Sequence, residues 1–224
     1  MAGFELLGSD VLLVIDPQVD FCPGGKLEVR DGDAVIPLIN RLAVRFDHLV
    51  VTQDWHPAGH SSFASSHPGK DAYEAIDMPY GQQTLWPDHC LQGSQGAEFH
   101  PALDLPRIEL ILRKGFRREI DSYSAFYEND RLTPTGLAGY LRERGLTRIF
   151  LVGLAYDYCV RYSAVDAVRA GFEAVVLKDA CRAIGLVGAD GKSTVEATRR
   201  EFAEVGVTER YASTLVAGES NGRK

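Results

Sequence analysis

Residues 11–15 (VLLVI) form an uninterrupted apolar run that stops at Asp16-Pro17. Such a run reads as a buried strand, and the proline ends it. The stretch 21–32 is rich in Gly and Pro and predicts a loop. From Asp33, a residue type that caps helices, Val35, Leu38, Ile39 and Leu42 recur at helical spacing to about residue 46. Pro37 falls near the first turn, where proline is tolerated. Residues 48–53 (HLVVTQ) predict a second strand, ended by Asp54-Trp55-His56-Pro57. The region 54–107 is then full of Gly, Pro, Ser and His. A loop that long inside a compact domain is functional or disordered, and its aromatic and histidine content points to function. Residues 108–112 predict a third strand ending at Arg113-Lys114, 134–144 a helix, and 148–153 (RIFLVG) a fourth strand. After a turn at 154–157, Val160, Ala164, Val165 and Val168 give 159–170 helical periodicity. A fifth strand at 173–177, a helix at 191–204 and a short strand near 206–211 follow. The polar tail 217–224 is expected to fray.

Strands alternating with helices predict a mostly parallel sheet covered on both faces. The expected fold class is α/β, a three-layer α/β/α arrangement around a six-stranded sheet. The expected organisation is a single domain over residues 1–216, interrupted by the long loop region at about 54–107. No internal repeat or low-complexity block divides the chain.

The length of 224 residues suffices for one sizeable core, and 45% hydrophobic with 25% charged residues is ordinary globular composition. A net charge of -7 argues against a nucleic-acid partner, which calls for a basic surface. No apolar run approaches the roughly 20 residues of a membrane helix, so no membrane association is expected. Residues 1–10 lack the basic segment and long apolar stretch of a secretory signal. Cys22, Cys90, Cys159 and Cys181 form no CxxC pair, which predicts reduced thiols and a cytoplasmic location. A homo-oligomer is compatible with the sequence, which does not fix the oligomeric state.

In open α/β sheets ligands bind at the carboxyl ends of the strands. Four predicted strand ends carry reactive residue types: Asp16; Asp54 with His56; Lys114; and the turn leading to Cys159. Taken singly, each has a plain structural reading: a turn carboxylate before proline, loop residues, a solvated lysine, a buried thiol. Together they form a constellation. Cys159 at the head of a helix has a dipole that lowers its pKa and backbone N–H groups that can hold an oxyanion. Asp16 can act as general base for that thiol, and Lys114 can bind the carboxylate and the developing oxyanion. Asp54 and His56, two apart at a strand end, point to one side, with His60 and His89 further along the loop. A carboxylate with imidazoles suits Zn²⁺, Fe²⁺ or Mn²⁺. His48, His67 and His100 read as structural or solvated. Phe21, Trp86, Tyr123 and Tyr158 can line an aromatic pocket, although each alone reads as core packing. No GxGxxG follows the first strand, which disfavours a nucleotide-binding module.

Over about 11–213 the chain resembles the nicotinamidases of the isochorismatase-like cysteine hydrolase family. The segments that carry the likeness are VLLVIDPQVDFCPGGKL (11–27), TQDWHPAGHSSFA (52–64), LWPDHCLQGSQGAEFH (85–100), Lys114-Gly115 followed by DSYSAF (121–126), and GLAYDYCV (153–160). The resemblance implies a catalytic triad of Asp16, Lys114 and Cys159. It implies one divalent metal, zinc before iron or manganese, on Asp54, His56 and His89, with His60 as a lower-ranked ligand. It implies an oxyanion hole from the Ala155 and Cys159 N–H groups after an unusual peptide bond before Ala155. Phe21, Leu27, Trp86 and Tyr123 match positions bordering a pyridine ring. The implied reaction converts nicotinamide to nicotinate and ammonia through a cysteine thioester, extends to pyrazinamide, and serves NAD salvage. In this turn Tyr156 stands where the family often has Thr. The residues give no account of Cys90 beside His89.

Overall fold

A continuous apolar run is stable as a strand only where both faces of the sheet are covered. The computed structural model, which describes residues 4–188 and 191–216, places those runs in the middle of one sheet. Its strands in chain order are β1 (Phe4–Glu5), β2 (Asp10–Ile15), β3 (His48–Asp54), β4 (Ala75–Met78), β5 (Gly81–Thr84), β6 (Leu110–Lys114), β7 (Arg148–Leu154), β8 (Glu173–Arg182), β9 (Thr208–Arg210) and β10 (Leu215–Val216). Six of them form the main sheet in the order β6-β3-β2-β7-β8-β9, every pair parallel. All of β2, and all but the first residues of β3 and β7, are buried. The edge strand β6 instead alternates, leaving Ile111 exposed. The expected fold class is therefore observed.

The helices are α1 (Ile36–Ala43), α2 (Leu137–Glu143), α3 (Arg161–Arg169) and α4 (Thr194–Val205). Strand order runs outward from β2 to β3 and β6, then jumps back across β2 to β7. With the right-handed crossovers that parallel connections adopt, this reversal puts α1 on one face and α2, α3 and α4 on the other. It also creates a switch point at the carboxyl ends of β2 and β7, where open sheets bind ligands.

Several boundaries differ from the sequence reading. Asp33 lies inside a 3-10 turn (Gly32–Val35) and caps no helix; α1 starts at Ile36 with Pro37 in its first turn. The third strand runs on to Lys114, so that residue ends the strand rather than following it. The helix expected from residue 159 is a wide π-type turn (Tyr156–Val160) leading into α3. β8 extends to Arg182. α4 opens on a reciprocal capping box between Ser193 and Glu196 and closes at Gly206 in the left-handed region. Three features had no sequence signal: the parallel pair β1–β10, the antiparallel hairpin β4–β5, and the continuation of β8 beyond Leu177. The polar tail 217–224 lies outside the described residues.

Candidate active site

Each strand end at the switch point delivers one functional group. Asp16 follows β2 directly, with φ +45°, and its turned backbone is held by Thr52 of β3. The Thr52 hydroxyl donates to Asp16 Oδ1 at 2.6 Å and accepts the Asp16 N–H at 3.1 Å. Asp54 ends β3, and Lys114 ends the neighbouring β6 in register with it. Beside β2, Gly153 of β7 has φ +112°, and a Cβ there would lie 2.1 Å from the Ile15 carbonyl oxygen. Only glycine fits that approach. The Leu154–Ala155 peptide bond that follows is cis, and the turn Tyr156–Val160 then presents Cys159.

Lys114 is the hub. Its ammonium lies 2.8 Å from Asp16 Oδ2, donates to Asp54 Oδ1, and reaches the Ser122 carbonyl at 3.1 Å and Cys159 Sγ at 3.3 Å. Burial alone would favour its neutral form, but Asp16 and Asp54 outweigh that and push its pKa well up, so it stays charged. For Asp54, burial opposes the charge, but Lys114 and His56 hold the carboxyl well below the usual range. Asp16 differs. Burial dominates, Lys114 offsets it only in part, and the neighbouring Asp54 adds to it, so the pKa rises to about 6. Asp16, Asp54 and Cys159 each bring a ligand atom within 4.8 Å of the others.

The Cys159 thiol departs from expectation. Its pKa is pushed well up, first by burial and then by Asp16 and Asp54, with Lys114 as the opposing influence. Burial, the largest influence, outweighs the lowering expected at the head of a helix. The shift favours the protonated thiol, and Asp16, elevated toward neutrality, is a carboxylate close beside it.

Asp54 faces two ways. While Oδ1 accepts from Lys114, Oδ2 lies 3.6 Å from His56 Nε2 and 3.8 Å from His89 Nε2. The other ring nitrogens are held behind: His56 Nδ1 on the Gly115 carbonyl and His89 Nδ1 on the Pro87 carbonyl, both at 2.8 Å. Backing Nδ1 with a carbonyl fixes the tautomer that leaves Nε2 free to ligate. Gly115, at φ +64°, makes room, because a Cβ there would sit 2.4 Å from the His56 ring. Two inward Nε2 atoms and one carboxylate oxygen within 4.8 Å of one another fit a divalent metal with open positions.

His60 is not part of this trio. Its Nδ1 engages Ser62 at 2.7 Å and its Nε2 the Ile120 carbonyl at 3.2 Å, with its ring packed 4.4 Å from that of His56. Burial lowers its pKa and favours the neutral form. It groups with His56 and Asp121 instead.

The pocket at Cys159 is lined by Phe21, Leu27, Trp86 and Tyr123, together with Asp54, His89, Ala155 and Cys159 itself. Tyr158 lines it too, its ring 4.7 Å from Trp86. Asp121 and Ile184 complete it, and neither was signalled by the sequence. Gln18 was also missed. Its side chain accepts the Asp54 N–H and donates to the Asp54 carbonyl, both at 2.8 Å, locking that strand end. Its place three residues after the end of β2 carries no sequence signal of burial. Cys90 is a fully buried turn residue. Its N–H donates to Asp20 Oδ2 at 2.7 Å, its carbonyl accepts the His56 N–H at 3.0 Å, and its thiol is buried with a pKa pushed well up by burial. It shapes the turn between two metal-facing histidines. Tyr156 points away from the pocket and donates to Glu209 of β9 at 2.8 Å.

Residues 10–209 match the family model of the isochorismatase domain. Among curated proteins, the chain is 57% identical to a nicotinamidase of Acinetobacter baylyi over 177 residues, 79% of this chain and 83% of that one. Among solved structures, a nicotinamidase/pyrazinamidase of Acinetobacter baumanii superposes with a TM-score of 0.90 at 48% identity, covering 94% of this chain and 99% of the other. A pyrazinamidase of Pyrococcus horikoshii solved in complex with zinc gives a TM-score of 0.71 at 33% identity, covering 91% and 99%.

Proposed function

The chain belongs to the isochorismatase domain family, and from that footing we propose that it hydrolyses nicotinamide to nicotinate and ammonia. The observation that carries this reading is one pocket whose walls hold an aromatic slot, the nucleophile Cys159 and two of the metal-facing groups, Asp54 and His89. The slot suits a flat ring, and the thiol suits a carboxamide attached to it. Pyrazinamide, with a ring of the same shape, is a second substrate. The nicotinate released serves NAD salvage. One hydrolase domain over residues 1–216 carries the activity. No helix among the described residues is long and apolar enough to cross a membrane. The four cysteines are free and buried, and we place the enzyme in the reducing cytoplasm.

The ring sits among Phe21, Leu27, Trp86 and Tyr123, with the amide carbon beside Cys159. Asp16 takes the thiol proton, and the sulfur attacks the carbonyl carbon. The carbonyl electrons move onto oxygen, where the N–H groups of Ala155 and Cys159 hold them. The tetrahedral adduct collapses, Asp16 returns its proton to the departing nitrogen, and ammonia leaves a thioester on Cys159. Water then adds to the thioester as Asp16 accepts its proton. The C–S bond breaks, nicotinate departs and the thiol is reprotonated. Lys114 keeps Asp16, Asp54 and the sulfur together while charge moves among them. Asp54, His56 and His89 would hold a divalent metal, zinc in our reading, which would supply a Lewis acid at the pocket wall.

The test is ammonia release from nicotinamide by the purified protein, before and after chelation. Release that is lost with the metal and restored by zinc is the expected outcome. Release untouched by complete metal removal would sink the metal's role, and none from zinc-loaded protein would sink the substrate.

A further inference from the structure

The hairpin β4–β5 stands out from the sheet, and most of its strand residues are exposed or half-exposed. Gln83 is the single buried residue in either strand. Burying an amide is unfavourable unless both ends find partners, and here both do. The two N–H groups of Gln83 Nε2 are shared among three oxygens, the Tyr123 hydroxyl at 2.7 Å, the Thr84 carbonyl at 2.7 Å and Asp121 Oδ2 at 3.1 Å. Its Oε1 accepts from Asn129 Nδ2 at 3.1 Å and from the Tyr80 hydroxyl at 3.3 Å. The Thr84 carbonyl and Asp121 Oδ2 beside the nitrogen, with Asn129 Nδ2 beside the oxygen, fix the amide's orientation, because a flipped amide would set oxygen against oxygen and nitrogen against nitrogen.

The Tyr123 oxygen receives a second donor, Trp86 Nε1, at 3.0 Å. A hydroxyl oxygen has two acceptor positions, so Gln83 and Trp86 fill both. Trp86, Tyr123 and Asp121 all line the pocket. A second link runs through Asn129, whose Oδ1 accepts the Tyr123 N–H at 3.0 Å. One amide on an otherwise solvated hairpin thus ties the loop carrying Asp121 and Tyr123 to the segment carrying Trp86.

We propose that Gln83 is a positioning residue for the substrate pocket, holding Tyr123 and Asp121 in the wall that faces the aromatic ring. It touches neither substrate nor sulfur. This rests on the pocket assignment made above. Its loss weakens ring binding and leaves the chemical step at Cys159 nearly unchanged, which separates it from a residue that merely supports the fold.

The test compares wild type, Gln83→Met, Tyr123→Phe and the double variant. Gln83→Met removes the amide at similar length. It is expected to raise KM for nicotinamide about tenfold with kcat within about twofold. On the Tyr123→Phe background, which lacks the shared oxygen, the same change should add no more than about twofold. An unchanged KM in Gln83→Met, or the full tenfold rise repeated on Tyr123→Phe, overturns the proposal. Should Gln83→Met fail to fold, Gln83→Asn keeps the amide but shortens its reach and carries the same expectations. Acrylamide quenching of tryptophan emission gives a readout that needs no turnover. It should increase in Gln83→Met as Trp86 loosens, and unchanged quenching counts against the proposal. A wild-type protein that releases no ammonia refutes the substrate reading, while the quenching result still decides the role of Gln83.

Discussion

On the sheet side of the pocket, Asp16 and Lys114 sit at or directly after strand ends, fully buried and joined ionically, and Cys159 follows the end of β7 by one turn. On the loop side, Phe21, Leu27, Trp86, His89 and Tyr123 come from segments with little regular structure, held by side-chain bonds such as those of Asp20 to backbone N–H groups and of Gln83 to the Tyr123 hydroxyl. The sheet side is rigid because parallel strands in register fix its backbone, and it places groups that must exchange a proton over short distances. The loop side needs shape and a metal anchor, which loops on a rigid frame supply and can vary. Asp54 joins the two, with one carboxylate oxygen on Lys114 and the other toward the histidines. The two sides meet at this carboxylate, and each can be perturbed in turn.

The largest effect is expected from Cys159→Ala, which leaves the loop side intact. Its kcat for nicotinamide should fall by roughly 10⁴-fold or more, as for loss of other covalent nucleophiles. Metal content should stay at the wild-type level. Wild-type turnover in that variant would remove Cys159 from the mechanism.

Gly115→Ala attacks the metal side through its backing. The added Cβ meets the His56 ring at 2.4 Å on a backbone with positive φ. Metal affinity, read by chelator competition, should drop about 10- to 100-fold, the usual cost of disturbing a ligand's supporting contact. Retained affinity would mean that His56 can reorient freely.

The smallest effect near neutral pH concerns Asp16. Burial raises its pKa to about 6, so at pH 7 it is mostly ionised and able to accept a proton. As pH falls through that value Asp16 becomes protonated, and kcat/KM should decline on an acid limb with an apparent pKa near 6, belonging to the coupled cluster as a whole. A limb near 4, the ordinary carboxylate value, would mean that the base is another group or that Asp16 is not buried in solution.

The strands β2, β3 and β7 were legible because burial on both faces demands unbroken apolar runs, and the sequence has them. β6 was misjudged by two residues. An edge strand buries alternate positions, so Arg113 and Lys114 continue it while reading as its end. The hairpin β4–β5 was invisible because its strands are polar and mostly exposed, leaving no apolar period to read. Asp16, Lys114, Cys159, Asp54, His56 and His89 stood out as reactive types at strand ends and in recognisable segments. Gln18, Thr52 and Gln83 did not. A neutral polar residue has no signature of burial, and its role exists only once a distant partner arrives.

By itself, the sequence determined the parallel α/β architecture, the strand ends at which chemistry collects, and the family likeness that groups the reactive residues. Those follow from local hydrophobic pattern and residue type, which the chain carries wherever it is folded. Tertiary structure alone decided the direction of each pKa shift, the placement of His60 beside Ser62 and Ile120, and the clasp at Gln83. These depend on which groups meet across tens of residues, and on water being excluded where they meet.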